Sequence, residues 1–446
     1  MESGRYDAIV IGAGAAGLAA AADLAQAGAA TLVLEARDRI GGRILTLHRK
    51  GWPLPIELGA EFIHGRAPET FRIVEEAGLL VDRLADRHAF LARGRLRERG
   101  NYFDAMSKIT GRMRRRGRDR SVAEFLEGQG RLGSGQRADF RSFVEGYHAA
   151  PLDRASEHAL STAGDGPPEP GENDQFRVVS GYDSVTDWLR KKAGKTVALR
   201  VGWIVDTVEW KRGRVWIAAR PARGGAAKKF PADRVIVAAP LSALKAPAGS
   251  HGAIRFEPEI PEKRRALATL ETGDVVKVVF RFRERFWERE GFLANRADRF
   301  DLSFLLTRRA TVPTWWTAAP AQTAMLTGWA GGPAARKLLA ESDETIADIA
   351  LRSLARILAL NPRRLKSLLE EWHTHNWSTD PFSRGGYSYT AVGGMRSRGI
   401  LARPVAGTVF FAGEATDPDQ NGTVAGALAS GRRAAREVLA RARSSR

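Results

Sequence analysis

The chain opens on an apolar run over residues 7–11, suited to a strand buried on both faces. A glycine turn over 12–17, Gly-Ala-Gly-Ala-Ala-Gly, follows it. Next come an alanine-rich stretch of helical character and a second apolar run, Thr31–Leu34, closed by Glu35. Strand, glycine turn, helix, strand and terminal acid are the parts of a dinucleotide-binding βαβ unit in working order. Gly12 permits the tight turn, Gly14 lets backbone approach a pyrophosphate, and Gly17 lets the helix pack close on the sheet. The helix N-terminus offers free N–H groups and partial positive charge to phosphates. Glu35 stands where an acid binds ribose hydroxyls.

Beyond this unit the pattern predicts mainly helix over 68–160, with segments at 69–76, 102–113 and 122–127. Residues 161–174, rich in Gly, Pro and acids, read as a loop. A strand, a turn and a helix follow over 178–192. Strands are predicted at 196–208, 215–219, 235–240, 274–282 and 325–329. Helical spacing returns at 342–357 and 364–371. The C-terminus repeats the opening pattern, with a strand near 408–414, a loop and a helix over 423–440. One domain is thus expected to draw on the start, middle and end of the chain, with a second inserted between them. A cleft between two such domains suits small-molecule chemistry.

At 446 residues the chain exceeds one ordinary core. It has no cysteine, which excludes disulfides, thiolate metal sites, cysteine catalysis and a cysteinyl–flavin bond. No metal-ligand spacing is present, although His373 and His375 lie close. The first strand begins so early that no signal peptide is expected, and no run is long enough to span a bilayer, so a cytoplasmic protein is expected. The net charge of +19 would attract an anionic surface partner. No nucleic-acid-binding motif accompanies it, so a solvated basic surface is the simpler reading. The basic run 112–116, with Arg118 and Arg120, reads as an exposed helix end or loop, or else as a docking patch.

Near the C-terminus, Gly413-Glu414 and the segment 421–428 put an acid and a helix N-terminus at the end of a strand. Glu414 is placed to accept hydrogen bonds from ribityl or ribose hydroxyls. The helix N-terminus near Thr423 would stabilise negative charge on a reduced flavin ring. Together, the motifs at 12–17, 34–43, 57–60, 377–389 and 411–414 resemble the flavin-containing amine oxidases. That family includes monoamine oxidases, polyamine oxidases and the catalytic domain of lysine-specific histone demethylases.

The resemblance implies an α/β fold: a Rossmann-like FAD-binding domain interleaved with an α+β substrate-binding domain. The FAD-binding part would comprise 1–66, 178–240 and 396–446, and the substrate part 67–177 and 241–395. It implies that Arg37 and Arg43 contact FAD phosphate and ribityl oxygens. Gly59, Ala60 and Glu61 would run beside the isoalloxazine, with Val205 at the adenine. Trp377 would flank the flavin, and Thr423 and Val424 would sit beside it. With Gly12, Gly14, Ala16, Gly17, Glu35, Ala36, Gly42, Gly413 and Glu414, these form the expected cofactor set. Lys277 resembles a lysine bonded through water to flavin N5, where it would help oxygen reoxidise the flavin. By strand pattern alone it reads as a solvent-facing lysine sharing a face with Val275 and Val279.

Tyr387 resembles one wall of a substrate cage; with Tyr389 and Trp377 it lines either an amine pocket or an ordinary core. His64 reads as structural or as a substrate contact. Gly386 replaces the cysteine of monoamine oxidases, so FAD is expected to be non-covalent. Thr423 replaces their second cage tyrosine. Phe62 replaces the carboxylate-binding arginine of amino-acid oxidases, and the helical hairpin of the demethylases is missing. A +19 protein would repel polyamines unless acids such as Glu61, Glu69 or Glu172 formed a negative funnel. The expected activity is oxidation of a small-molecule amine, by hydride transfer from its α-carbon to flavin N5, with O2 reoxidising the flavin to give H2O2. The alternatives are an FAD-dependent desaturase or oxidase of an isoprenoid or porphyrin-like substrate, and a non-enzymatic flavoprotein binding nucleic acid or membrane.

Overall fold

The computed structural model describes residues 5–84, 88–92, 95–99, 102–162, 171, 174–288, 303–308 and 310–443. Glu172 and most of the loop expected over 161–174 lie outside these residues. Two large sheets organise the rest. In the first, Tyr6–Ile11 lies parallel to Thr31–Leu34 on one side and to Lys228–Val237 on the other. Ile9 is level with Leu32 and Val235, and all three are fully buried. Val197–Arg200 extends the parallel set beyond Thr31–Leu34, while Val409–Phe411, from the far end of the chain, pairs with Lys228–Val237. Burial on both faces explains why these strands run apolar without alternation. The first half of Lys228–Val237 pairs antiparallel with Arg214–Pro221, which pairs with Trp203–Lys211. Arg255–Glu257 completes the sheet, on the far side of the boundary expected at residue 240.

The single strand expected over 196–208 is two, Val197–Arg200 and Trp203–Lys211. They are separated by Gly202, whose φ of 69° turns the backbone. The turn wraps the end of the second strand: Glu35 N donates to Arg200 O, and Trp203 N donates to Glu35 O.

Helix Ala15–Gln26 is buried along nearly its whole length against the sheet, Asp183–Ala193 and the terminal helix Val424–Arg443. Small side chains permit that. A Cβ on Gly17 would collide with the carbonyl oxygen of Gly12, and one on Gly431 with that of Ala16. The two helices therefore meet backbone to backbone at this point.

The second sheet runs Leu369–Asn376, Val275–Phe282, Met325–Gly331, Thr314–Thr317, Phe304–Leu306, His88–Ala92, Arg95–Arg99. All neighbours are antiparallel except Phe304–Leu306 with His88–Ala92. Val276, Val278, Phe280 and Phe282 pack on helix Asp343–Ile357. The other face of the same strand is also covered: Val279 meets Trp52, Ile56 and Leu58, and Val275 meets Trp377. Lys277 lies on that covered face, so its position is buried, against the strand-pattern expectation.

Two segments depart from the helical expectation. Within 68–160, residues Val81–Arg83, His88–Ala92 and Arg95–Arg99 are strands. The helix expected over 364–371 is Pro362–Leu368 and gives way to the strand Leu369–Asn376, because pairing with Val275–Phe282 claims that segment. The basic run follows helix Tyr102–Thr110, with Arg112, Arg114, Arg116 and Arg118 exposed. Among the described residues no helix is long and apolar enough to cross a membrane.

The helix contact makes a direct prediction. Gly431→Ala should lower stability by about 1–3 kcal/mol through overpacking. Gly399→Ala, in a helix with open space around it, should be neutral or stabilising by about 0.5–1 kcal/mol. Thermal unfolding of the two variants checks this; equal midpoints would mean the helices are not in backbone contact.

Candidate active site

The described residues enclose one cavity of about 1570 Å³ that runs from the first glycine turn to the second sheet. It exceeds the roughly 300–1,000 Å³ of an ordinary ligand pocket, so it has room for a dinucleotide and a second molecule. At one end Gly12, with φ of 102°, turns the chain, and Gly14 is the N-cap of helix Ala15–Gln26. A Cβ on Gly14 would meet nothing closer than 3.8 Å, so the protein itself leaves this position open. Glu35 Oε2 accepts from Ala13 N at 2.7 Å and Oε1 from Arg37 N at 2.9 Å, tying the turn to the end of the second strand. Arg37 donates to Asp380 (2.7 Å) and Ser383 (2.8 Å). Burial opposes ionisation of Asp380, but His375 and Arg37 hold its carboxyl far below the usual range. Ala16, Ala36, Gly42 and Val205 line the same end, Val205 beside a bulge in its strand. Arg39 was not anticipated: it donates to the carbonyls of Ile40, Gly42 and Ile44 and so holds the loop that carries Arg43.

Toward the middle, Arg43 donates to Gly386 O and to Glu414 Oε1 (3.0 Å). Gly59 lies so close to Arg43 that a Cβ would collide with its carbonyl oxygen. Trp377 is buried and donates from Nε1 to Leu58 O at 2.8 Å. Here lies a charge cluster. Lys277, 1% exposed, places Nζ 2.7 Å from Glu61 Oε2 and 3.2 Å from Gly59 O. Glu61 Oε1 accepts from Arg177 Nη2 (2.7 Å) and from Trp316 Nε1 (3.0 Å). Burial alone would raise the Glu61 carboxyl, but Lys277 and Arg177 outweigh it and hold the group below its ordinary value. Glu61 is therefore neutralised by two cations and offers no negative funnel. Glu69, the other described acid of that expectation, pairs with Arg72 and Arg432.

At the C-terminal side, Glu414 accepts from Arg43, from Ser388 Oγ (2.6 Å) and from Gly422 N (3.0 Å). Burial opposes its ionisation, and Arg43 and Arg398 prevail. Thr423 Oγ1 accepts from Gly426 N at 3.0 Å and donates to Gln420 O, so its side chain caps the terminal helix. Gly413, Thr423 and Val424 border the cavity. Tyr387 borders it too, its hydroxyl donating to Tyr147 O at 2.5 Å and its ring parallel to Trp329, 6.4 Å between centroids. His64 is 5.8 Å from the Tyr147 ring, and burial pushes it down to about 4. All the expected site residues except Gly17 thus line this cavity; Gly17 lies beneath it. Trp316 joins them without having been foreseen, and Arg39 and Arg177, outside the lining, hold the Arg43 loop and Glu61 in place.

A family model described as flavin containing amine oxidoreductase matches residues 15–439. The chain is similar to polyamine oxidase 3 of Oryza sativa subsp. japonica, 28% identical over 99% of this chain and 90% of that one. Two solved structures share the fold at 21% identity and TM-scores of 0.79. One is a putrescine oxidase bound to putrescine, matched over 98% of this chain and 99% of that one. The other is cyclohexylamine oxidase from Brevibacterium oxydans IH-35A, matched over 99% and 100%.

Glu61→Gln should destabilise the protein by about 3–5 kcal/mol, because it leaves two buried cations without their carboxylate. Adding Lys277→Met should return part of that loss. The Glu61 contribution is present above its ordinary value of 4.5 and is lost as pH falls through its lower folded value. Denaturation of wild type and Glu61→Gln from pH 7 to 3 should therefore converge on acidification. Parallel curves would remove the carboxylate's charge from the account.

Proposed function

The chain belongs to the flavin containing amine oxidoreductase family, and from that premise we propose how its residues carry out FAD-dependent oxidation of an amine. FAD suits the cavity on structural grounds: Gly14 is left open at a helix N-terminus, and a second helix N-terminus borders the same space. In this reading Gly12, Gly14 and Ala16 receive the pyrophosphate, Gly17 beneath them keeps the helix close to the turn, and Glu35, Ala36 and Arg37 receive the adjoining ribose and phosphate. Val205 lies by the adenine. Gly42 and Arg43 hold the ribityl chain. Gly59, Ala60, Glu61, Trp377, Gly413, Glu414, Thr423 and Val424 surround the ring. With no cysteine in the chain, FAD is held without a thioether bond.

Bound FAD supplies the acceptor for the hydride of the amine α-carbon and passes the electrons to O2, giving hydrogen peroxide. The protein orients the amine, excludes water and sets the local charge. Tyr387, Trp377 and the cap at Thr423 shape the space over the ring. Lys277, fixed by Glu61 and Gly59, supplies positive charge where oxygen is reduced. His64 is uncharged at neutral pH and contacts substrate as a neutral group. Water hydrolyses the resulting imine to a carbonyl compound and ammonia or a smaller amine. A cytoplasmic enzyme fits a chain without cysteine. The observation that carries the reading is that one cavity joins the first glycine turn, the terminal helix and an aromatic region beside a buried lysine.

Gly14→Ala should fold normally, yet bind FAD at least roughly tenfold more weakly, because only the ligand approaches that Cα. Anaerobic mixing of the yellow protein with amines should bleach the flavin, faster as pH rises toward the amine pKa. Lys277→Met should slow reoxidation by O2 by roughly 100-fold while anaerobic reduction persists. Normal FAD affinity in Gly14→Ala, or unaltered reoxidation in Lys277→Met, would sink the corresponding assignment.

A further inference from the structure

Arg398 sits in the first turn of helix Ser397–Ala402 and borders the cavity, yet it is only 5% exposed. A cation in that place opposes the helix dipole and loses its hydration, so it needs a counter-charge. Its guanidinium donates to Thr390 Oγ1 (3.2 Å), to Ser388 Oγ (2.7 Å) and to the carbonyls of Ser388 and Ala415 (3.3 Å each). These acceptors are all neutral. The counter-charge lies one hydroxyl away. Ser388 Oγ accepts from Arg398 and donates to Glu414 Oε2 at 2.6 Å. The other oxygen of Glu414 accepts from Arg43 at 3.0 Å.

Glu414 therefore stands between two cations, one at the cavity and one behind it. Burial alone would raise its carboxyl, and Arg43 and Arg398 bring it below its ordinary value. Burial likewise works against the charge on Arg398, which Glu414 and then Asp417 support. Asp417 is the second acid facing Arg398, and burial raises its carboxyl. Arg433, reaching in from the terminal helix, turns to Phe411 O, Thr416 and Glu437. Only as a carboxylate does Glu414 form its ion pair with Arg43 and accept strongly from Gly422 N and Ser388 Oγ.

We propose, resting on the FAD reading above, that Arg398 is a positioning residue for the cofactor: its charge, relayed by the Ser388 hydroxyl, locks the Glu414 carboxylate onto Arg43 and Gly422 and so presets the groups that receive the ribityl chain and the ring. A residue that merely anchored strand Ser388–Thr390 to Ala415 would use the same hydrogen bonds, but its loss would not depend on the protonation of Glu414.

The test is the affinity of the full chain for FAD, read by flavin fluorescence from about pH 5.5 to 8 and expressed as the Kd of each variant over that of wild type. The ratio cancels His375, which titrates beside Asp380 in both proteins. In Arg398→Met, burial raises Glu414 with only Arg43 to oppose it, so the carboxylate is kept at the alkaline end and lost as pH falls. The ratio should therefore rise roughly tenfold toward the acid end. Arg398→Lys, which keeps the charge, should restore a ratio independent of pH. A ratio for Arg398→Met that is the same at every pH makes Arg398 a strand anchor alone and overturns the inference. In a Glu414→Gln background the pH dependence should vanish; persistence there would assign it to Asp417 and overturn the inference equally. Ser388→Ala keeps both charges and removes the hydroxyl between them, so it tests the relay even if Arg398→Met does not fold. It should weaken FAD binding at the acid end in the same direction, and a flat ratio would remove the relay. Failure of the wild type itself to bind FAD strikes the underlying reading instead.

Discussion

Backbone contact between the first and last helices is the constraint on which the rest of the structure depends. Gly431 lies over the carbonyl of Ala16, and Gly17 over that of Gly12. Any side chain at Gly431 would hold the two helices apart. Their approach brings residues more than 400 positions apart into one hydrophobic core, with Leu18 and Leu24 packed among Leu428, Ala435 and Val438. It also sets both helix N-termini on the same cavity. Gly426 tightens the entrance to the second helix, since a Cβ there would collide with Gln420 O. The loop so drawn in delivers Gly422 N to Glu414, and Glu414 in turn fixes Arg43 from the first unit. One steric requirement near the surface of two helices thus orders polar groups well inside the molecule.

The polar interior follows a consistent rule. Its carboxylates are shared between distant segments: Glu35 between the glycine turn and Arg37, Asp380 between Arg37 and His375, Glu414 among Arg43, Ser388 and Gly422. Glu61 joins two strands of the second sheet, through Lys277 and Trp316, to strand Gln175–Val178, through Arg177. Ion pairs buried this deeply contribute little net stability against a well-packed apolar alternative, although breaking one is expensive. Their value is positional. They fix side chains around a space that must stay open for a ligand and cannot be packed shut.

Much of this was legible in the chain, and what was missed has identifiable causes. The parallel strands and the helices at 15–26, 183–193 and 343–357 follow from local pattern, because burial on two faces or one stripe leaves its period in the sequence. Lys277 was ambiguous: alternation along 275–282 describes a strand but not what covers its second face, and here Trp52, Leu58 and Trp377 cover it. The segment 81–99 and the strand Leu369–Asn376 depend on partners remote in sequence, which no local window contains. Arg177 and Trp316 carried no motif, and only the tertiary structure turns them onto Glu61. Thr423 was expected as a wall of the site. A hydroxyl followed three residues on by a free helical N–H is also an ordinary cap, and the geometry shows it capping.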